Sequence, residues 1–408
     1  MNTDVTLMKN VLEEFVCSSN DVIELKLVRE EADVFNDDKI FQPEFTHQLF
    51  GQSENIFGYK GLKVQLYFTA ARLVPYLHMT SSSKVNSKLF DGVKADNVLK
   101  TIIDQLEIQP LDNLDKFLTV ISDDSTFQPM GDLLHAYSVE GEGPARHFEV
   151  YSNSITTPGF KEYHERLQTF LWWYIDAASY IDTDDEKWDY YTIFERYSVD
   201  GNKRYAVAGY ATAYRYYAYP DLIRPRISQV LILPPFQRQG HGVHLLEAMY
   251  THFRNDNKVL DVTVEDPSDN FVRLRDFVDC RNCQKLPAFT PPNLGKGFSP
   301  EMEKQALEKL KLCKKQVRRV YEILRLRVTD SSNPEEMKEY RLDVKKRLNI
   351  PFQKQKSDYE KMRRTLKPEE LSATMQGTNL QERQETLENW YQELITSYDG
   401  VIERLAMD

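Results

Sequence analysis

The segment that most limits how this chain can fold lies between residues 230 and 250 and reads VLILPPFQRQGHGVHLLEAMY. The apolar run at 230–233 predicts a buried strand, and two prolines end it. A helix should follow, because apolar residues recur at helical spacing: Leu245, Leu246, Met249 and Phe253. In between, Gly240 and Gly242 leave several backbone amides uncovered by side chains. The loop is therefore either a simple turn or a site for an anion at the positive end of a helix.

The pattern of this loop excludes two common phosphate-binding motifs. A dinucleotide loop needs GxGxxG, whereas the order here is QxxGxG without a third glycine. A Walker loop needs Gly-Lys-Ser/Thr, and the loop has no such sequence. A pyrophosphate held by bare amides remains, with Arg238 either touching the phosphates or solvated. His241 and His244 are spaced like metal ligands, but we expect a surface or packing role for them.

The surrounding pattern predicts a mainly antiparallel sheet with one crossover. A long amphipathic helix is expected at 159–181, and strands are expected at 132–138, 147–151, 190–197, 204–214, 225–233 and 259–264. Strand, loop, helix and strand form a βαβ crossover, so the last two strands should be parallel, with their carboxyl ends on the side of the loop. Asp266 and Pro267 fit the N-cap and first position of the next helix. Glu265 thus ends the strand beside the loop.

The chain divides by character into three regions. Residues 1–110 combine helices at 4–15 and 96–106 with strands at 22–28 and 62–68, which is typical of a small α+β domain. Residues 111–280 carry the sheet and the glycine loop, and residues 281–408 are helical. One helix starts at Ser299 with an apolar stripe to Leu324, a second starts at the capping pattern of Asn333, and the last carries a heptad-like seam. The seam is expected to pair with another helix of the chain or with a partner. The predicted fold class is mixed α/β with a helical C-terminal region.

Charge and cysteine content restrict the class of protein. The formal net charge of −11 repels nucleic acid and favours a basic ligand. The chain opens without an apolar signal core and has no membrane-length apolar run, so we expect an intracellular, reduced protein without membrane contact. Cys280 and Cys283 form a CxxC pair that is a redox pair, half of a zinc site or simply the end of a helix. We favour the helix end, because no second pair or nearby His supplies the remaining zinc ligands.

Several stretches resemble one protein family. The loop resembles the acetyl-CoA loop, Q/RxxGxG/A, of the GNAT acyltransferase superfamily. The stretches EFTHQLFGQSENIFGYKGLK, KEYHERLQTF, RPRISQVLIL, VEDPSDNFVRLRDFV and RRVYEILRLRVTD resemble the type B histone acetyltransferase catalytic subunit. The match covers residues 20–408, whereas a generic small-molecule acetyltransferase would not share the outer regions. The resemblance implies histone-tail binding in the N-terminal region and a central GNAT fold that binds acetyl-CoA.

Acetyl transfer to a lysine needs a base, because free lysine has a pKa of about 10.4 and only the neutral amine attacks. A carboxylate suits this role when partial burial raises its pKa, as at a strand end inside a cleft. Glu265 is the leading candidate from its position, and the resemblance implies that the Glu of the EDPS motif is the active-site residue. Asp266 is left as a helper base, and Asp176 stands where relatives carry Glu. Capping or surface charge is the alternative for all three.

The resemblance also implies which residues hold the two substrates. Backbone groups of three strand residues would pair with the pantetheine arm of acetyl-CoA: Val230, Leu231 and Ile232. Loop amides would hold its pyrophosphate: Gln237, Arg238, Gln239, Gly240, His241, Gly242 and Val243. Histone-tail contacts are implied at Gln52, Ser53, Glu54, Trp188, Tyr214, Arg215 and Tyr216. Gln52 stands where relatives have an acidic residue, which puts one ion pair with the tail in doubt. No metal is implied.

The implied acceptor is newly made core histone, chiefly the fourth, free or with the third, before nucleosome deposition. The implied partner is a WD-repeat histone-binding chaperone, with the helix at 4–16 as one candidate contact. No direct nucleic-acid contact is implied. The implied location is the nucleus and the cytoplasm. The alternative function is a catalytically inactive GNAT-fold scaffold that delivers histone to a chaperone. The enzyme is favoured because a scaffold has no chemical reason to keep four residues: Gln237, Gly240, Gly242 and Glu265.

Overall fold

The computed structural model describes residues 11–88, 92–141, 143–362 and 380–407. It divides into two compact units, one formed by residues 1–215 and 227–248 and the other by residues 216–226 and 249–408. Residues 4–10, which belong both to the helix expected at 4–15 and to the candidate chaperone contact at 4–16, lie outside the described residues. Residues 11–13 are helical, and a strand begins at Val16.

The first unit contains most of the strands. They are β1 (Val16–Ser18), β2 (Ile23–Val28), β3 (Asn55–Phe57), β4 (Tyr59–Lys60), β5 (Lys63–Thr69), β6 (Pro75–Thr80), β7 (Ser83–Lys84), β8 (Asp132–Val139), β9 (Arg146–Asn153) and β10 (Trp188–Val199). Its helices are α1 (Ser19–Val22), α2 (Glu31–Val34), α3 (His47–Phe50), α4 (Val98–Leu106), α5 (Leu114–Ile121), α6 (Phe160–Leu167) and α7 (Leu171–Tyr174). Three elements have residues in both units: β11 (Asn202–Ala218), β12 (Leu222–Ile232) and α8 (His241–Asn255).

The second unit is mainly helical. It contains the short strand β13 (Thr263–Val264). Its helices are α9 (Asp269–Cys283), α10 (Pro291–Gly295), α11 (Pro300–Leu310), α12 (Lys314–Val328), α13 (Pro334–Leu348), α14 (Ile350–Met362) and α15 (Leu380–Met407). No helix among the described residues combines the length and the apolarity needed to span a bilayer.

The N-terminal part of the first unit is an α+β arrangement. β2 pairs in parallel with β5, with Leu25 opposite Leu66, and β5 pairs antiparallel with β6. A buried cluster packs against this sheet: Val28, Val34, Tyr67, Tyr76, Phe117 and Ile121. β2, β5 and α4 confirm the strands expected at 22–28 and 62–68 and the helix expected at 96–106.

The central sheet of the first unit has the strand order β8, β9, β10, β11, β12. β8 to β11 pair antiparallel, with a bulge in β10 at Ile193 and Phe194. These strands confirm the predicted meander. Gly209 of β11 is required by close packing, because a Cβ atom there would lie 2.3 Å from the main-chain oxygen of Leu231 in β12. The absence of a side chain thus lets β12 approach β11 at the strand that precedes the glycine loop.

The helix expected at 159–181 ends earlier than predicted. It consists of α6, a 3-10 turn at 168–170 and α7, which ends at Tyr174. Ile175 is extended, and Ala177 has a φ of +53°. The side-chain amide of Gln48 donates to the main-chain oxygen of Ala178 and accepts from the main-chain amide of the same residue, each at 3.0 Å. The prediction fails because a distant side chain supplies the bonds that a continued helix would have formed within itself. Asp176 therefore lies in irregular chain and not on a helix.

In the second unit β13 confirms the parallel crossover. Val259 forms a parallel bridge with Ile223 of β12, and Thr263 donates from Oγ1 to the main-chain oxygen of Pro225 at 3.5 Å. The strand is shorter than the predicted 259–264, because Val262 instead bridges to Leu312.

The predicted cap of the following helix is wrong. Ser268 is the N-cap of α9, since it has an extended backbone and its hydroxyl accepts from the amide of Phe271 at 3.3 Å. Asp266 lies two residues earlier with a φ of +28°. Its carboxylate is therefore not the cap that the sequence suggested.

The C-terminal helices differ from the prediction at one break. The stripe from Ser299 to Leu324 spans two helices, α11 and α12, because Lys311 is left-handed (φ +57°) and its main-chain oxygen accepts from Val262 at 2.8 Å. α13 begins after Asn333 as predicted, and the Asn333 side chain accepts from two helix amides.

The seam on α15 is used within the chain. Four of its residues are buried in the second unit: Tyr391, Tyr398, Val401 and Leu405. α15 packs against α9, α12 and α13.

Cys280 and Cys283 lie at the end of α9, as the sequence favoured. They form no disulfide and are fully buried, and burial raises the pKa of both thiols well above the ordinary value.

Candidate functional site

The glycine loop has a strained and open backbone. A 3-10 turn at Pro234–Phe236 follows β12, and both Arg238 (φ +60°) and Gly240 (φ +89°) adopt left-handed conformations. A Cβ atom on Gly240 would meet no heavy atom within 4 Å, so the space beside this residue is open. The side-chain amide of Gln237 donates to the main-chain oxygen of Ile232 at 2.9 Å, which ties the loop to the end of the strand.

The amides at the start of α8 are available to a ligand. Of the seven predicted loop amides, those of Gln237 and Val243 donate to Pro234 and Gly240, at 3.2 and 3.0 Å. Within the described part of the chain, the amides from Arg238 to Gly242 have no protein acceptor. They lie at the positive end of a 15-residue helix. This donor set fits a pyrophosphate.

The edge of β12 that faces away from β11 is paired with β13 near Pro225, and residues 230–232 of the strand follow that pairing. The main-chain amides of Gln229 and Leu233 face β11, where they donate at 3.2 and 2.9 Å. Because successive residues of a strand alternate in direction, Val230 and Ile232 turn their main-chain groups to the opposite edge. Among the described residues of the first unit, no strand lies on that side. Leu231 points inward and is 5% exposed.

His241 is the first residue of α8 and packs inside the protein. Its ring is 1% exposed, and its Nδ1 lies 2.7 Å from the hydroxyl of Tyr137. Burial, and next the charge of Arg146, lower the pKa of His241 to about 4. His244 stacks on Tyr137 with ring centroids 3.6 Å apart. The packing role expected for these histidines is confirmed, and no group of His, Cys, Asp and Glu able to hold a metal ion occurs among the residues described.

Two predicted tail contacts form an aromatic pair. Trp188 and Tyr214 are opposite each other in β10 and β11, with ring centroids 5.0 Å apart at an interplanar angle of 69°. The hydroxyl of Tyr214 donates to Asp185 at 2.8 Å. Arg215 donates from Nε to Asp189 at 2.7 Å, so its guanidinium is held by a carboxylate of the protein itself.

The predicted contacts at 52–54 have different roles in the structure. Gln52 and Ser53 are exposed. Glu54 faces the start of α3, where it accepts from the amides of Thr46 at 2.7 Å and His47 at 3.1 Å. The hydrogen bond from Thr46 is the main reason that the pKa of Glu54 is lowered. Glu54 is therefore an ionised carboxylate already bound to main-chain donors.

His47 lies between the carboxylates of Asp176 and Glu54. Its Oδ1 is 3.1 Å from Nε2 of His47, whose Nδ1 is 3.8 Å from Glu54. The chain that follows Asp176 also contacts β12, because the side chain of Gln229 donates to the main-chain oxygen of Ser179 at 3.1 Å. Three residues of extended chain reach about 10 Å, so Asp176 is within that distance of Ser179.

Glu265 and Asp266 belong to the second unit and follow β13 directly. Both side chains are exposed, which differs from the partial burial expected for a strand end inside a cleft. β13 ends at Val264 as predicted, and the chain then turns away from the strand direction with a positive φ at Asp266. Tyr216, also in this unit, lies beneath the guanidinium of Arg226 at 4.5 Å.

Three residues beside the loop were not identified from the sequence. Arg146 donates to the side chain of Gln239 at 2.8 Å and to Glu195 at 2.7 and 3.0 Å, and Arg29 also donates to Glu195. The only sequence signal is Glu195 itself, a charged residue directly after the largely apolar run YYTIF of a predicted strand. Its partners lie 49 and 166 positions away along the chain, so a local sequence pattern cannot identify them.

Comparison with known proteins gives three family matches. Residues 15–176 match the family described as Histone acetyl transferase HAT1 N-terminus, residues 155–277 match the Acetyltransferase (GNAT) family, and residues 275–326 match Histone acetyltransferase type B catalytic subunit, C-terminal. The chain is also similar to curated proteins named Histone acetyltransferase type B catalytic subunit. Those of Rattus norvegicus and Homo sapiens are each 48% identical over 97% of this chain and 95% of their own. That of Mycosarcoma maydis is 34% identical over 77% of this chain and 76% of its own.

Proposed function

Because this chain belongs to the family of the histone acetyltransferase type B catalytic subunit, we propose that it transfers acetyl groups from acetyl-CoA to lysines of newly synthesised, non-nucleosomal histone, chiefly the tail of the fourth core histone. One observation carries this proposal. A row of unpartnered amides at the start of α8 follows directly on residues 230–232 of β12, whose edge away from β11 pairs with no other strand of the first unit. An acyl-CoA needs both features, a donor set for its diphosphate and a strand edge for its amide-bearing arm.

The residues of the loop and strand divide the work of holding acetyl-CoA. The amides from Arg238 to Gly242 would bind the pyrophosphate, and the positive end of α8 favours its charge. The outward main-chain groups of Val230 and Ile232 would pair with the two amides of the pantetheine arm, as an added strand does. Arg238 is placed by its loop position to reach a phosphate. No group of this set requires a metal.

The reaction follows from bringing a lysine amine to the thioester. The neutral amine nitrogen attacks the carbonyl carbon, a C–N bond forms, the C–S bond breaks and the thiolate of CoA leaves. The amine proton passes to a base, and the thiolate is protonated in turn. Main-chain amides near the end of β12 would stabilise the oxyanion that forms on the carbonyl. The acetyl group goes directly to the amine in a ternary complex, without an acyl-enzyme.

Glu265 is the first candidate for the base, in accordance with its position after β13. Asp266 is the second, and since Ser268 caps α9, its carboxylate is not needed for capping. Asp176 is the third, with His47 at 3.1 Å from its carboxylate.

The acceptor is proposed to bind across the predicted tail contacts. The T-shaped pair of Trp188 and Tyr214 suits the apolar stem of a lysine, because an aromatic face attracts both methylenes and a cation. Gln52, Ser53, Glu54, Arg215 and Tyr216 complete the proposed set. The net charge of −11 attracts a basic tail.

The wider setting remains a prediction. We propose action in nucleus and cytoplasm, during chromatin assembly, with a WD-repeat histone-binding chaperone as partner. The division into 1–110, 111–280 and 281–408 is likewise proposed as a functional one: tail binding, acetyl transfer and a helical C-terminal region.

Substitution of Glu265 by Gln tests the base. The change removes the proton acceptor but keeps the shape, so we expect acetyl-CoA binding within about twofold of wild type and kcat lowered about 100-fold or more. Acetyl-CoA binding is measured by calorimetry and turnover by mass spectrometry of free histones.

The matched control is Asp269→Asn, which removes another exposed carboxylate four positions away at the start of α9. It should leave kcat unchanged. Wild-type turnover by Glu265→Gln across the pH range would remove Glu265 from the mechanism. If the wild-type protein acetylates no histone above a no-enzyme control, the catalytically inactive scaffold becomes the better description.

A further inference from the structure

Both polar atoms of the Gln239 side chain, in the glycine loop, form hydrogen bonds within the protein. Its oxygen accepts from Nη1 of Arg146 at 2.8 Å, and its nitrogen donates to the main-chain oxygen of Pro235 at 3.1 Å. Gln239 is thus bonded both to the turn before the loop and to the first residue of β9. Such a doubly bonded amide restricts the conformations that the loop backbone can adopt.

Arg146 is in turn fixed by a buried carboxylate. It donates from Nε and Nη2 to the two oxygens of Glu195 at 2.7 and 3.0 Å, a bidentate pair. The Glu195 side chain is 5% exposed and also accepts from Arg29. Burial alone would raise the pKa of Glu195, but the hydrogen bond from Arg146 and the charge of Arg29 outweigh it and lower that pKa. Two guanidinium groups therefore face one ionised carboxylate, which holds Arg146 in place beside the loop.

The charge of Arg146 acts at the start of α8. After burial, it is the next largest cause of the lowered pKa of His241, the first residue of that helix. The same helix end carries the amides without acceptors. The charge of Glu195 acts on the same ring in the opposite sense, so the effect of Arg146 on the loop rests on its hydrogen bond to Gln239.

We propose that Arg146 is a positioning residue for the diphosphate of acetyl-CoA: it fixes Gln239 and thereby keeps the amides from Arg238 to Gly242 in one arrangement. Glu195 orients Arg146 for this role. The inference rests on the proposed function, because it takes acetyl-CoA as the ligand of the loop. A loop already ordered before binding loses less conformational freedom when the ligand arrives.

The test compares Arg146→Met with Arg196→Met. Arg196 is a matched control, because it is 34% exposed against 37% for Arg146 and pairs with Glu149, not with the loop. For Arg146→Met we expect the Kd for acetyl-CoA, measured by calorimetry, to rise about 10-fold, as for one lost charge-assisted hydrogen bond. With acetyl-CoA saturating, kcat should stay within about twofold. Arg196→Met should bind as wild type does.

Acetyl-pantetheine, which has no diphosphate, separates positioning from general damage. Arg146→Met should use it with the kcat/KM of the wild type. An equal loss with both donors would overturn the proposal, as would an unchanged Kd for acetyl-CoA. Arg146→Lys keeps the charge without the planar fork, so we expect an intermediate Kd.

A second variant covers the case in which Arg146→Met does not fold, judged by circular dichroism. Gln239→Leu leaves the pair of Arg146 and Glu195 intact and removes both hydrogen bonds of the Gln239 side chain, the one from Arg146 and the one to Pro235. It should still weaken acetyl-CoA binding several-fold, and binding equal to the wild type would exclude the positioning role. Failure of the wild-type protein itself to bind acetyl-CoA would instead refute the proposed function.

Discussion

His164, on α6, is a titratable residue without polar contacts. Its side chain is 0% exposed, and neither ring nitrogen has a hydrogen-bond partner in the described part of the chain. The ring packs among Phe160, Tyr190 and Tyr210, with centroids 4.7 to 6.0 Å away. Burial lowers the pKa of His164 from 6.5 to about 3, because protonation would create an unpaired charge in the core.

This burial makes stability depend on pH. Between pH 6.5 and about 3 the unfolded chain binds a proton at His164 and the folded chain does not, so the free energy of unfolding falls as the pH falls. From pH 7 to pH 5 the loss is about 2 kcal/mol. His164→Leu removes the titration without removing a hydrogen bond, and we expect its free energy of unfolding, from urea titrations, to fall about 2 kcal/mol less over this range.

Replacement of the exposed His147 by Leu is the control and should keep the pH slope of the wild type. Parallel pH curves for wild type and His164→Leu would show that His164 is protonated in the folded protein as well.

At the scale of elements, one buried carboxylate joins three helices of the second unit. Glu322 of α12 is 0% exposed and accepts from Arg347 of α13 at 2.7 Å through each oxygen. It also accepts from Arg318 at 3.0 Å and from the hydroxyl of Tyr398, on α15, at 3.0 Å. The apolar seam predicted that α15 would pair with another helix of the chain or with a partner. Glu322 and Arg347 lie on the helices that it packs against and carry no local signal.

Glu322→Gln should destabilise this group of helices. The variant leaves Arg347, whose side chain is 32% exposed, without its charge partner, so we expect the free energy of unfolding to fall by about 3 kcal/mol, the lower end for a broken buried pair. Tyr398→Phe loses one hydrogen bond and should cost about 1 kcal/mol. Urea unfolding checks both, with the exposed Glu403→Gln as a control. If Glu322→Gln is no less stable than Glu403→Gln, the ion-pair network does not hold the helices together.

At the scale of the whole molecule, the acidic surface and the basic acceptor should attract each other over a distance. The net charge is −11, and such attraction weakens as salt screens it. We expect the KM for a histone-tail peptide to rise several-fold when the salt concentration increases from about 50 to 250 mM. A peptide with its flanking lysines replaced by glutamine is the control and should show a weaker dependence. Equal salt dependence for both peptides would limit recognition to short-range contacts.

The sequence predicted elements wherever local order sufficed. Alternation and helical spacing gave the meander from β8 to β12 and the parallel crossover to β13, and QRQGHG identified the loop. These features depend on residues that are neighbours in the chain, so their pattern is visible without a structure. The capping pattern at Asn333 gave the start of α13 for the same reason.

Tertiary structure decided what distant residues do to one another. Gln48 ends the helix before Asp176, Val262 divides the stripe from Ser299 to Leu324, and Arg146 fixes Gln239 in the glycine loop. In each case a residue far along the chain supplies a hydrogen bond, and that bond outweighs a local preference of a few tenths of a kcal/mol to about 1 kcal/mol. The sequence by itself thus determined the succession of elements and the kind of loop, whereas the ends of the elements and the environment of the loop were set by contacts that form only on folding.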